Sequence, residues 1–492
     1  MNSLTTLFQT IGRFLTTPDT SFQICSIQFL VLFVVFFFGY LLIGQRRHRA
    51  MMVYVVAFSL FFAFKVNGVL MLLLPLTTAL SWQLTRTIRQ QEDSRWRTLW
   101  LTVVIITDLL PLLYFKYTNF FIGTFSALLS SNFSPLDIFL PVGISFYTFQ
   151  AISYSVDVYR NRFKEDVTLL EYAFFLTFFP LLFAGPITRA GTLLTQLRDK
   201  HHLILQRSVY AGLWLIIVGL LKKGLIADYI AQYNNWVFDD PMGYSGFEDF
   251  VGLLGYALQI YLDFSGYSDI SIGLAALLGF RLRENFSYPY QSLNVTEFWH
   301  RWHIALSTWF RDYLYIPLGG NRVSRWRHYW NLFLTMLVAG LWHGASWMFV
   351  IWGGLHGLAQ VVHKACRPWL DRISNTVPVR IISCAVTFVF LLFTWVFFRC
   401  ANLPTAFTMM ERIVTDFDIN YAMPFFGARP VYSLFLIIGY SFLFVHDRTY
   451  RLLERMFVES PWMLKLILLV VTIQLLISFS TGTIQPFIYS QF

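Results

Sequence analysis

Apolar runs long enough to cross a bilayer recur from one end of this chain to the other, and that pattern excludes most folds at once. A spanning helix needs about 20 apolar residues rising 1.5 Å each. By that ruler, segments near 26–44, 66–82, 98–115, 137–156, 208–226, 251–262, 329–342, 378–398, 431–445 and 462–480 qualify. Shorter apolar stretches near 50–64, 119–130, 171–185, 270–280 and 346–362 read as tilted spans, re-entrant pieces or interfacial helices. Only 13% of the 492 residues are charged, against roughly 25% in a soluble domain, so a water-soluble fold has too little polar surface to cover so much apolar area. Backbone groups in lipid must be satisfied internally, which leaves helices for runs of this length. The expectation is an all-α polytopic membrane protein with roughly eleven tilted crossings.

The net charge of +10 would raise nucleic acid as a partner in a soluble chain. Here the basic residues sit in short clusters between apolar runs: Arg46, Arg47 and Arg49, then Arg86, Arg89, Arg95 and Arg97, then Arg160, Arg162 and Lys164. Cytoplasmic loops of membrane proteins carry this excess, so no nucleic-acid partner is expected. With 45–49 inside, two passes return the chain to 85–97, and 159–164 falls inside only if 119–130 does not cross, which argues for a re-entrant element there. Cys25, Cys366, Cys384 and Cys400 have no CxxC spacing, so neither zinc nor a disulfide framework is indicated. Residues 1–25 are mixed in polarity and read as an N-terminal extension rather than a cleavable signal, and 26–492 as a single transmembrane domain.

Polar residues inside a membrane are expensive, so each is a functional candidate. In YLDFSGYSD, Asp263 and Tyr267 stand four apart on one helix face, and Gly266 allows another helix to come close. A polar packing seam reads as well as a substrate-binding role. In 294–322, a helix started at Glu297 aligns Trp299, Trp302, Leu306, Trp309 and Tyr313 in one aromatic stripe, suited to lying at the membrane surface. His303 falls at the edge of that stripe, toward the interior, while His300 points toward the side carrying Arg311. His343 ends an apolar run between Trp342 and Gly344, after Gly340, with glycines that let a substrate or a helix approach its imidazole. A hydrogen-bonded core histidine is the alternative. His356 and His363 read as packing or interfacial residues, and no carboxylate or cysteine at ligand spacing supports a metal.

FWHRWHIALSTWFRDYLYIPLGGNR and LWHGASWMFVIWGGLHG resemble segments of the membrane-bound O-acyltransferase (MBOAT) superfamily, and most closely its bacterial branch. That branch serves alginate and peptidoglycan O-acetylation and D-alanyl transfer to teichoic acids. YLDFSGYSDISIG, LPVGISFYTFQAISYSVDVYR, FFPLLFAGPITRA and the ending FIYSQF resemble the same branch, in order, from about residue 100 onward. The resemblance implies a ring of tilted helices around a thin centre, a catalytic His343 in the WHG motif and a second functional His303 in the RWH motif. Trp299, Trp302, Arg311, Asp263 and Tyr267 are the residues expected around the substrates. It also implies a bacterial inner-membrane location, a cytosolic acyl thioester such as acetyl-CoA as donor, and no bound cofactor. An extracytoplasmic SGNH-type transferase or small acceptor protein would receive the acyl group.

Acyl transfer from a thioester to a hydroxyl needs a base near neutral pKa, which imidazole supplies. His343 is the expected base, with His303 orienting the acceptor, steadying the imidazolium or stabilising the oxyanion; a covalent acyl-histidine or acyl-serine relay also fits. Three readings compete, one of them a non-catalytic scaffold of a cell-envelope complex, which would keep the topology but tolerate loss of His343. A transporter or flippase would use buried Asp108, Asp157 and Asp263, but the chain has no internal repeat of the transporter kind. A lipid acyltransferase would differ only in its acceptor.

Overall fold

The structure, a computed structural model, describes residues 12–490 except positions 15, 20–21, 45–46, 132, 200–205, 371, 373–375, 446, 480–484 and 486. Arg46 of the first basic cluster, the first eleven residues of the N-terminal extension and the last two residues of FIYSQF lie outside the described residues.

Every regular element among the described residues is helical. Five helical stretches are long and apolar enough to cross a membrane: His48–Gln90, Ser94–Leu128, Gln206–Asp239, Val377–Arg399 and Trp462–Phe479. A sixth is the pair Ile419–Ala428 and Pro430–Leu443, bent by 105°. The other apolar segments form shorter or more polar helices: Ile144–Tyr159 is buried along most of its length, whereas Ile27–Ile43 leaves Val31, Val35, Phe38 and Leu42 exposed. The chain divides into two compact units, residues 1–212 with 271–282, and residues 213–270 with 283–492.

In the first unit, helical residues run without a gap from His48 to Gln90, yet the chain doubles back at Gly68, whose φ of +57° only glycine adopts cheaply. Phe58 packs on Phe179 and Phe62 on Phe183 before the turn. After it, Ser81 accepts from the Tyr172 hydroxyl and the Trp82 indole donates to the Val167 carbonyl, so segment 167–183 is met in the reverse direction. Residues 50–64 and 66–82 are therefore two limbs. The stretch 119–130 lies largely in helix Thr118–Leu128, which follows helix Ser94–Leu112 through a π turn with no loop between. A buried polar cluster ties this unit together: Asp108 accepts from Ser81 at 3.1 Å. Lys65, fully buried, donates to the Phe14 and Thr17 carbonyls and so fixes part of the N-terminal extension against this helix.

The second unit is organised by close helix contacts that only glycine permits. A Cβ on Gly219 would stand 2.5 Å from the Gly266 carbonyl oxygen, so Gly266 does admit a neighbouring helix as expected. Helix Arg325–His343 turns at Gly344–Ser346 into helix Trp347–Leu370, and a Cβ on Gly340 would meet the Phe349 carbonyl at 2.3 Å. Small residues at such crossings let backbones pack without a hydrophobic drive between helices.

Segment 294–322 departs from the single amphipathic helix expected from Glu297. It forms two short helices, Val295–Arg301 and Ile304–Phe310, followed by a π turn at Arg311–Tyr315. The break is at His303, which takes a left-handed conformation with φ +43° and ψ +55°. Asn285, eighteen positions earlier in the chain, causes it. Its carbonyl accepts from the Ile304 N–H and its side-chain oxygen from the Ala305 N–H, replacing helical partners. The aromatic stripe does not face lipid either: Trp299, Trp302, Leu306 and Trp309 are all buried in protein.

Candidate active site

Two histidines anchor the site, and both lie in the second unit. His303 is completely buried and His343 nearly so. His343 is the last residue of its helix, capped by Gly344 in extended conformation. A Cβ on Gly344 would fall 2.1 Å from the Phe349 ring, so that glycine admits an aromatic side chain rather than a substrate. The His343 imidazole lies in an aromatic box: ring centroids of Trp342, Trp352, Tyr489 and Phe398 stand 5.1, 5.0, 5.2 and 5.5 Å away.

His303 approaches the same box from the other side. Its ring centroid is 6.1 Å from Trp342 and 6.3 Å from Tyr489, with Phe264 at 4.6 Å. The two imidazoles thus share two walls. The proton on His303 is fixed by its neighbours. Asn285 Oδ1 accepts from the Ala305 backbone N–H, which can only donate, and Asn285 Nδ2 donates to Ser268 Oγ. The 3.1 Å contact between Asn285 Oδ1 and His303 Nδ1 therefore requires Nδ1–H, leaving Nε2 as the unprotonated nitrogen of a neutral ring.

Tyr489 was missed by sequence reasoning, which used FIYSQF only as a likeness and gave it no role. Nothing near position 489 points to residue 343; only the fold joins them. Asp263 and Tyr267 do this joining. Asp263 receives Lys223 Nζ at 2.5 Å and the Ile488 N–H at 3.1 Å, while the Tyr267 ring packs on Phe487 at 4.6 Å. Lys223 also reaches Asp228 at 2.7 Å and the Gln485 carbonyl at 3.3 Å. These residues secure the C-terminal segment against the histidines. Trp302 lies in the core, packed on Phe298, Phe286 and Trp395.

Beside the box lies a cavity of about 340 Å³ lined by Trp299, His300, Arg311, His328, Lys364 and Ala339 among others. Thr335, Met336 and Ala339 also line it, and they climb helix Arg325–His343 toward His343, one turn beyond Ala339. The Arg311 guanidinium and the Lys364 ammonium make the lining attractive to anions. Burial, aided by the Lys364 ammonium, holds His328 below the usual histidine range. So Trp299 and Arg311 meet at this cavity, His303 and His343 at the box, and Asp263 and Tyr267 at the C-terminal segment. Among the described residues, no three His, Cys, Asp or Glu side chains converge to hold a metal ion.

The membrane-bound O-acyltransferase family model matches residues 58–405. A peptidoglycan O-acetyltransferase of Helicobacter pylori is 39% identical over 66% of this chain and 67% of its own. A protein of Azotobacter vinelandii named probable alginate O-acetylase AlgI is 39% identical over 79% of this chain and 77% of its own. A teichoic acid D-alanyltransferase of Bacillus subtilis is 26% identical over 54% of this chain and 68% of its own.

Proposed function

Because the chain belongs to the membrane-bound O-acyltransferase family, we propose that it moves an acetyl group from a cytosolic thioester to a hydroxyl of a cell-envelope polysaccharide, with His343 as the general base. The observation that carries this reading is the shared aromatic box: two buried imidazoles meet Trp342 and Tyr489 beside a cavity lined by basic residues. Acetyl and polysaccharide follow from the relatives named for peptidoglycan and alginate.

In this mechanism the donor, acetyl-CoA or another acyl thioester, lies in the cavity with its phosphates among His300, Arg311, His328 and Lys364. His343 takes the proton from the acceptor hydroxyl as the oxygen attacks the thioester carbon. The carbon–sulfur bond breaks, and the imidazolium returns its proton to the departing thiolate. Base catalysis of this kind contributes about 10²–10⁴-fold. His303, with Nε2 unprotonated, accepts a hydrogen bond from a donor of the acceptor other than the attacking hydroxyl, whose one proton goes to His343; an oxyanion would need a donor in its place. An extracytoplasmic SGNH-type transferase or small acceptor protein would receive the acetyl group first and pass it on to the polysaccharide.

The test is transfer by the purified chain in lipid, using radiolabelled acetyl-CoA with and without the extracytoplasmic partner. Label on the partner or on polysaccharide supports the reading. Label on lipid instead would favour a lipid acyltransferase, and thioester left intact in every mixture would refute the donor.

A further inference from the structure

The buried His356, set aside as packing by sequence, belongs to a one-way hydrogen-bond chain that ends on the cavity wall. An indole N–H can only donate, so the 3.3 Å contact from Trp299 Nε1 makes His356 Nδ1 an acceptor. His356 Nε2 then carries the proton and donates to Thr394 Oγ1 at 3.2 Å, and Thr394 donates to the Leu391 carbonyl at 2.9 Å. Trp299, His356 and Thr394 are all buried, so each link is costly to break. The Trp299 indole is also wedged edge-on against Trp352, ring centroids 5.8 Å apart, and Trp352 stands perpendicular to His343 at 5.0 Å. Trp299 is therefore a cavity-lining residue whose ring backs directly onto the box around His343.

We propose that Trp299 sets the length of acyl chain the enzyme accepts, and that His356 is a positioning residue that holds the indole in place. This rests on the reading of the cavity as the thioester site. A donor lying along Thr335, Met336 and Ala339 brings its carbonyl toward the end of helix Arg325–His343, where Trp299 lines the cavity and Trp342 and Trp352 pack around His343 behind it. A methyl group fits against rigid indoles. A longer chain has to displace Trp299, and its tether to His356 resists that.

The experiment compares acetyl-, propionyl- and butyryl-CoA as donors for the full chain in lipid, reading CoA release that depends on the extracytoplasmic partner added together with alginate or peptidoglycan. The readout is the butyryl-to-acetyl ratio of kcat/KM within one preparation, which is insensitive to the fraction folded. Trp299→Ala should raise it by at least roughly ten-fold, the scale of one methylene in a fitted pocket. His356→Phe, which keeps an aromatic ring but loses the acceptor, should raise it as well. His356→Asn, whose oxygen restores an acceptor near Nδ1, should keep the wild-type ratio. Unchanged ratios in both Trp299→Ala and His356→Phe would overturn the proposal while leaving the donor reading intact. A wild-type protein that discharges none of the thioesters would overturn the donor reading and the gate with it.

Discussion

Asn285 shows how one residue, through its carbonyl and its side chain, can set both backbone and chemistry. It takes the Ile304 and Ala305 amides, opening the helix at His303, and fixes the proton of that histidine on Nδ1. Asn285→Ala keeps the carbonyl contact to Ile304 but should lose the side-chain contacts to Ala305 and His303, at a cost of about 1–3 kcal/mol in stability. It should also lower kcat more than the donor KM, measured by a thermal melt and steady-state transfer. A second residue-scale prediction concerns pH. Burial and the nearby Lys364 hold His328 low, so it is mostly neutral near pH 7. A bound anion favours its charged form, so donor affinity should strengthen as pH falls toward the His328 pKa and weaken above it. The donor KM measured against pH should show this slope, and His328→Gln should flatten it; an identical slope in the variant would dismiss His328. The histidine positions were legible in the sequence because buried polar residues stand out in apolar runs. Asn285 was not, because it sits in a polar loop where an asparagine attracts no notice.

At the scale of elements, the hairpin of Arg325–His343 and Trp347–Leu370 positions His343 through backbone-to-backbone packing at Gly340 and Gly353. Gly340→Ala must push the Phe349 carbonyl aside, and overpacking of this kind costs about 1–3 kcal/mol. We expect a lower melting temperature together with reduced transfer, whereas Gly354→Ala, whose nearest neighbour would be 3.9 Å away, should change neither. Hydrophobic runs revealed most of these helices, since length and apolarity are local properties. The break at His303 escaped, since residues 297–313 keep a helical period through it and only a distant partner interrupts the backbone. The amphipathic stripe likewise misled: its aromatics face protein, and periodicity cannot distinguish a protein interior from lipid.

At the scale of the whole molecule, the site depends on residues far apart in the chain. Tyr489 reaches the box because Lys223 and Asp263 hold the C-terminal segment. Removing one partner of a buried ion pair typically costs about 3–5 kcal/mol, and the second partner Asp228 reduces that here. Asp263→Ala should therefore fold but transfer poorly, as should a chain ending at residue 484; full activity in both would show that the C-terminal segment is not part of the site. The measurement that tests the central claim most directly is single-turnover transfer of labelled acetyl groups by His343→Gln, in protein whose thermal melt matches wild type. A fall of about 10²–10⁴-fold in the transfer rate is predicted for loss of the base. A rate equal to wild type would remove His343 from the mechanism.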